Sequence, residues 1–338
     1  MPSNAEYLAH LDVAAADPTL IRLASNESTE PPSPRVRAAL EHAYADANLY
    51  PPTVPPLRRE LAARFGVEPE RVLVGAGSTE LIDATLRAFV RAGDEVVLPQ
   101  PTWPVYRRRL QALEAQVVEV PLVAGERSFA FDVDALLAAV TPRTKLIAVC
   151  TPNNPTGNSL PLDDMRRIAE AGPLLLVDAA YAEFDADVDL SPLVEESEQV
   201  VLTRTFSKAY CLAGLRVGYA LGAAEVLDYV GRFVVPGSSV STASLHAAVA
   251  ALEDEEYHRR QVERIRAERE RVVAGVRAAG LRAFDSRANF VAVAVEDAQS
   301  FTRTLLERRI VVRAMDDRLV RITIGRAEEN DTLLAAAT

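Results

Sequence analysis

Leu174-Leu175-Leu176-Val177-Asp178-Ala179-Ala180-Tyr181 is the stretch that decides the architecture. Four apolar residues stand in a row without polar alternation, and a carboxylate ends the run. A strand with one face in water alternates apolar and polar residues. A run this uniform is what a central parallel strand needs when both of its faces are covered. Working outward, Val72–Val74, Val96–Leu98, Val117–Val120, Lys145–Cys150, Val200–Leu202 and Val217–Leu221 read as further strands. Helical patterns fall between them over Thr79–Arg91, Val105–Leu113, Val133–Val140 and Asp163–Ala171. Strand–helix alternation sustained over about 150 residues predicts an α/β fold with a mostly parallel, helix-covered sheet. Chemistry in such a sheet gathers at the carboxyl ends of the strands.

The flanks differ from this middle. Residues 1–35 read as irregular, with Pro31-Pro32-Ser33-Pro34 before a helix near Arg35, and a second proline cluster runs from Pro51 to Pro56. After Val235-Pro236-Gly237 comes the small, apolar Ser241–Leu252. A long charged helix follows over Glu255–Ala279, with apolar positions at Val262, Ile265, Val272, Val273 and Val276. Strands over Phe290–Val295, Ile310–Arg313 and Leu319–Ile324, a helix over Ala298–Arg309 and a final helix complete a smaller α+β unit. The expected division is an N-terminal arm and small-domain segment (1–44), a large domain (45–240) and a small C-terminal domain (241–338).

Composition limits the function. The 338 residues carry a net charge of −11, which argues against nucleic acid as a partner. No apolar run approaches the roughly 18–20 residues that span a bilayer. The Met1–Glu6 terminus lacks a secretory pattern, and Cys150 and Cys211 are too few for a disulfide framework, so a reducing cytoplasm is expected. The four histidines, His10, His42, His246 and His258, form no metal-ligand pattern, so no metal is expected. Each reads as a solvated or partly packed surface residue, His258 most clearly.

Of 37 basic residues only Lys145 and Lys208 are lysines. Arginine replaces lysine for most surface work but cannot lose its proton and attack a carbonyl carbon. Lys208 lies in Thr205-Phe206-Ser207-Lys208-Ala209-Tyr210, followed by Gly214-Leu215-Arg216-Val217-Gly218-Tyr219. Small residues, hydroxyls and one arginine around a single amine suit an aldehyde cofactor with a phosphate tail, although a surface lysine has the same local sequence. Val74-Gly75-Ala76-Gly77-Ser78-Thr79-Glu80 joins a strand to a helix, and free N–H groups at such a start attract an anion. A tight turn would need the same glycines. Thr151-Pro152-Asn153-Asn154-Pro155-Thr156-Gly157 reads as a turn in which Asn154 can donate to a phenolic oxygen or a carboxylate. Asp178 either pairs with a ring N–H⁺ or caps the next segment. Trp103, the only tryptophan, either stacks on a flat ligand or fills the core.

The series Gly77-Ser78-Thr79, Trp103, Asn154-Pro155-Thr156-Gly157, Asp178-x-x-Tyr181, Ser207-Lys208 and Arg216 resembles the fold-type-I pyridoxal-phosphate aminotransferases, most closely their histidinol-phosphate aminotransferase-like branch. Leu23–Glu27, Leu49-Tyr50-Pro51 and Leu319–Gly325 extend the resemblance over nearly the whole chain. It implies pyridoxal 5'-phosphate as cofactor, an amino donor and a 2-oxo acid acceptor as partners, and a homodimer. Lys208 would be the Schiff-base lysine and later the proton carrier. Asp178 would pair with the pyridinium nitrogen, Asn154 and Tyr181 would bond the ring oxygen, and Trp103 would stack on the ring. Gly77, Ser78, Thr79, Thr205, Ser207 and Arg216 would hold the phosphate, with Tyr50 reaching it across a dimer interface. Arg321 would grip the substrate carboxylate, for which a bidentate fork has the right shape.

The chain departs from that pattern in four places. Ala179 replaces a glutamate, and Cys211 replaces a glycine, which predicts a changed local backbone. The segment between Arg313 and Arg321 is short, and Gly325-Arg326 replaces Gly-Thr. Arg313 and Arg326 stand either for a second substrate anion or for plain surface charge. The expected activity is amino transfer from an L-amino acid or amino alcohol phosphate, histidinol phosphate first, to a 2-oxo acid such as 2-oxoglutarate. An aminotransferase of specialised metabolism, a decarboxylase or lyase on the same fold, and a non-enzymatic ligand sensor are the alternatives.

Overall fold

The structure, a computed structural model, describes residues 11–13, 15–52, 55–235 and 239–337. His10, the Met1–Glu6 terminus, Thr53-Val54 of the second proline cluster and the Pro236-Gly237 break lie outside the described residues. The strands run in chain order β1 (Ile21–Arg22), β2 (Val72–Gly75), β3 (Glu95–Gln100), β4 (Gln116–Pro121), β5 (Val123–Ala124), β6 (Phe129–Ala130), β7 (Thr144–Cys150) and β8 (Leu174–Asp178). Then follow β9 (Val200–Thr205), β10 (Gly218–Gly222), β11 (Arg282–Ala283), β12 (Phe290–Ala294), β13 (Ile310–Val311), β14 (Arg313–Ala314) and β15 (Leu319–Thr323).

Seven of these form one sheet in the order β2-β10-β9-β8-β7-β3-β4. Every pairing in it is parallel except the two made by β10. β8 sits at the centre with all five residues buried. Its residues alternate between two hydrophobic clusters. Leu174 and Leu176 join one with Leu146, Ala148 and Ala220, while Leu175 and Val177 join the other with Ile147, Val149 and Leu202. The uniform apolar run follows from this geometry, since each face has its own covering layer. The register pairs Cys150 with Asp178 and Asp178 with Thr203, so neighbouring strand ends stand side by side.

Helix Ser78–Phe89 begins after Gly77, whose φ of 81° is open to glycine and strained for other residues. Helix Thr242–Glu253 starts on Ser241, whose side chain accepts from the Ser244 N–H. It packs on helices Pro34–Ala43 and Pro56–Phe65, and its Leu245, Ala247 and Ala248 share the cluster that holds Leu175 and Val177.

The second layer is a four-stranded sheet in the order β11-β12-β15-β14. It is flanked by helices Glu255–Ala278, Ala298–Glu307 and Ala327–Ala337. The strand expected over Ile310–Arg313 is two strands: β13 pairs in parallel with β1, and β14 pairs with β15. The N-terminal segment lies between β13 and β15, because Leu23 N–H donates to Val311 and Leu23 C=O accepts from Thr323 N–H. Helices Ser191–Glu196 and Ala224–Gly231 were not anticipated. Both are short, and the first carries a proline in its first turn, so neither shows a long apolar period. His258 is half-buried and partly packed: its ring stacks on Tyr210 with centroids 4.2 Å apart and planes 9° apart. Among the described residues, no helix is long and apolar enough to cross a membrane, and no cluster of three His, Cys, Asp or Glu is placed to hold a metal ion.

Candidate active site

The carboxyl ends of β2, β7, β8 and β9 open on a cavity of roughly 290 Å³, closed from the other side by β14 and β15. Ser78, Thr79, Trp103, Asn154, Asp178, Tyr181, Thr205, Ser207, Lys208, Arg216, Arg313 and Arg321 all line it. They come from segments spread over more than 240 positions, and the parallel topology is what collects them.

Asp178, the last residue of β8, is buried. Its Oδ1 accepts from Ala180 N–H at 3.2 Å, and its Oδ2 accepts from the Tyr106 hydroxyl at 2.7 Å. Burial raises its pKa to about 6, and the Tyr106 donation opposes that rise. Lys208 is half-buried, with Nζ donating to Ser25 C=O at 3.1 Å and lying 5.8 Å from the centre of the Tyr181 ring. Desolvation, followed by the Arg321 charge, lowers its pKa to about 7. A neutral amine is therefore abundant at ordinary pH, as nucleophilic attack requires.

Tyr181 accepts from Asn26 Nδ2 at 3.0 Å and from Asn154 Nδ2 at 3.4 Å. Asn154 Oδ1 in turn accepts from Arg321 at 2.7 Å, and the same guanidinium donates to Ala24 C=O at 2.5 Å. Arg321 is buried on β15, directly opposite Arg313 of β14 in the antiparallel register. Residues paired in this way project from the same face of the sheet, so both guanidinium groups reach one cavity. Trp103 meets Tyr106 edge to face, with ring centroids 5.4 Å apart and planes at 89°.

The end of the cavity near Gly77 suits a phosphate. Helix Ser78–Phe89 begins there with N–H groups free of helical partners, and the Thr205 and Ser207 hydroxyls stand 3.0 Å apart. Arg216 reaches Ser207 Oγ at 3.3 Å. A Cβ at Gly77 would lie 2.5 Å from the Arg216 guanidinium, so glycine keeps the cradle open for that arginine. Together these donors match a phosphate dianion, and the buried carboxylate at the far end matches a protonated ring nitrogen. The residues present fit pyridoxal phosphate.

The remaining expectations divide. Tyr50 does not line the cavity of its own chain; it is 90% exposed. Arg326 is not among the residues lining the cavity and pairs with Glu329 at 2.9 Å. Cys211 does not change the backbone away from what a glycine would adopt: its φ is 60°, in the left-handed region glycine favours. Its thiol lies 3.1 Å from Ser28 Oγ, and that contact accompanies the unfavourable dihedral. Tyr106 and Asn26 are the site residues that sequence reasoning missed. Asn26 lies in the quoted Leu23–Glu27 stretch and was findable there. Tyr106 reads as the apolar face of a helix and carries no motif.

The comparisons with known proteins follow the same lines. The family described as aminotransferase class I and II matches residues 18–336. Histidinol-phosphate aminotransferase 2 of Caulobacter vibrioides is 40% identical over 324 residues, covering 93% of this chain and 85% of its own. An aromatic amino acid aminotransferase of Mycobacteroides abscessus is 40% identical over 324 residues, covering 94% of this chain and 92% of its own. The crystal structure of histidinol-phosphate aminotransferase from Sinorhizobium meliloti in complex with pyridoxal-5'-phosphate superposes with a TM-score of 0.85 at 30% identity, covering 94% of this chain and 89% of that one.

Proposed function

The chain belongs to the class I and II aminotransferases, pyridoxal-phosphate enzymes of fold type I, and from that premise we propose how its residues divide the work and which donor it takes. When bound, pyridoxal phosphate supplies an electron sink beside the donor's Cα. Lys208 Nζ would hold the cofactor's aldehyde and, as a neutral amine, would be the base that takes and returns a proton at the donor's Cα. Asp178 holds a proton at the ring nitrogen. Asn154 and Tyr181 bond the ring oxygen and Trp103 covers the ring face. Ser78, Thr79, Thr205, Ser207 and Arg216 hold the phosphate, with Gly77 leaving them room. Arg321 binds the carboxylate of the acceptor.

The donor we propose is histidinol phosphate, with 2-oxoglutarate as acceptor. The observation that carries this reading is the cross-strand pair Arg313 and Arg321, both lining the cavity. Two guanidinium groups suit a dicarboxylate in one half-reaction and a phosphate dianion in the other. An aromatic L-amino acid offers a single carboxylate and is the second reading, favoured by relatives such as the Mycobacteroides abscessus enzyme. A donor panel decides between them, following conversion of the cofactor to its aminated form by absorbance. Histidinol phosphate should be preferred over phenylalanine, and Arg313→Leu should cut kcat/KM for histidinol phosphate about ten- to hundred-fold while leaving phenylalanine nearly unchanged. Preference for phenylalanine, with no effect of Arg313→Leu on either donor, would reverse the assignment.

We propose further that the working unit is a homodimer in which Tyr50 reaches the partner's phosphate. Tyr44, Leu49 and Tyr50, close together in the chain, are large side chains left exposed, which supports a covering partner over this segment. Tyr50→Phe should weaken cofactor binding about ten-fold, the worth of one hydrogen bond to a charged group. A monomer by sedimentation, with full activity, would remove Tyr50 from the site.

A further inference from the structure

Tyr106 lies on helix Val105–Ala112, is completely buried and carries two contacts that bear on the site. Its hydroxyl donates to Asp178 Oδ2 at 2.7 Å. Its ring meets Trp103 edge to face with centroids 5.4 Å apart. One side chain thus touches both the carboxylate assigned to the ring nitrogen and the indole assigned to the ring face. Nothing else named in the site bridges those two.

The hydroxyl is a committed donor. Burial, and then the neighbouring Asp178 charge, push its ionisation well above the usual phenol range, so it keeps its proton throughout the working pH range. Asp178 has few other supports: the Ala180 N–H at 3.2 Å and the more distant Lys208 charge. The titratable groups around the pair are Cys150, which stands beside Asp178 in the strand register, Lys208 and Tyr181. Cys150 is itself buried and its thiol stays protonated, so it adds no charge. Trp103 is half-buried and lines the cavity, and the edge-on Tyr106 ring blocks its indole from tilting away from the cavity on that side.

We propose that Tyr106 is a positioning residue that locks the Asp178 carboxylate and the Trp103 ring into one arrangement, so that the floor and the far wall of the ring site are set before the cofactor arrives. The inference rests on the roles proposed above for Asp178 and Trp103. It acts through them, and Tyr106 itself touches neither substrate nor cofactor.

The test is Tyr106→Phe, which keeps the ring and its edge contact and removes only the hydroxyl. In the holoenzyme kcat should fall about ten- to hundred-fold, as for a lost buried hydrogen bond to a charged group, with KM for the amino donor changed less than about two-fold. Trp103 is the only tryptophan, so its emission reports this cluster alone. In the cofactor-free full-length chain that emission should change with pH around the Asp178 titration near 6, and the midpoint should move upward in Tyr106→Phe. An unchanged kcat together with an unchanged midpoint would overturn the proposal. So would emission in the unmodified protein that stays flat between pH 5 and 8, a result that needs no variant to fold. Loss of activity in Asp178→Asn with none in Tyr106→Phe would sink the role of Tyr106 and leave the reading of the site standing.

Discussion

Replacing Lys208 with alanine should lower turnover by about ten-thousand-fold and remove the covalent link to the cofactor. Lys208→Arg should do no better, because a guanidinium cannot give up its proton and attack a carbonyl. The chain makes the test unusually clean. Its other lysine, Lys145, is exposed on β7, at the amino end of that strand and away from the carboxyl ends that form the site. Borohydride reduction of the loaded protein followed by peptide mapping should therefore mark Lys208 and leave Lys145 unmarked. The direction of the pH dependence follows from the shift. A base whose pKa is lowered to about 7 is mostly neutral, and so reactive, above that pH and mostly protonated below it. Capture of pyridoxal phosphate by the cofactor-free chain should be half-maximal near pH 7 and fade as the pH falls. A lysine with an ordinary pKa would put that midpoint far higher. Label on Lys145, or near-normal turnover in Lys208→Ala, would end the assignment.

The parts of this molecule that could be read from sequence are those dictated by local pattern or by fixed chemistry. The run Leu174–Val177 announces a strand covered on both faces, and the residue ending it falls at the edge where the cavity opens. Gly77-Ser78-Thr79, Asn154 and Ser207-Lys208 are legible for the same reason: each follows directly on a strand that its own sequence marks. What escaped depends on contacts between distant segments. Tyr106 and Leu110, four residues apart, both point inward from their helix, which is the ordinary signature of a core face. Only the fold shows that the Tyr106 hydroxyl ends on a carboxylate 72 positions further along. Arg269 is the converse case. On a helix rich in charge it reads as solvated, yet it is buried and donates to the carbonyls of Phe184 and Ala288. With Arg266, which donates to Glu183 and Phe184, it ties the long helix to the segment just after Tyr181. Such clamps use backbone carbonyls as acceptors, and every residue has one, so no sequence pattern marks them.

Asp178→Asn should cost about 3–5 kcal/mol of rate, the usual penalty for removing one partner of a buried ion pair. That corresponds to roughly two to four powers of ten in kcat. The substitution is nearly isosteric. The amide oxygen can still accept from Ala180 N–H or from Tyr106, so the fold should survive and the melting temperature should move by only a few degrees. What disappears is the charge, and with it the ability to hold a proton at a ring nitrogen deep in a low-dielectric site. Two further consequences separate this explanation from simple damage. Asp178 raises the pKa of Lys208, so without its charge the amine should titrate lower than in the unmodified chain. In the unmodified chain, cofactor affinity should weaken as the pH falls through about 6, because an acid with a raised pKa loses its charge below that point. In Asp178→Asn the part of that dependence set by the carboxylate should vanish, since the amide has nothing to titrate, and only the Lys208 titration, moved lower, should remain. If the variant turned over within ten-fold of the unmodified enzyme and its affinity followed the same pH profile as the unmodified chain, the buried carboxylate would not be the partner of the ring nitrogen.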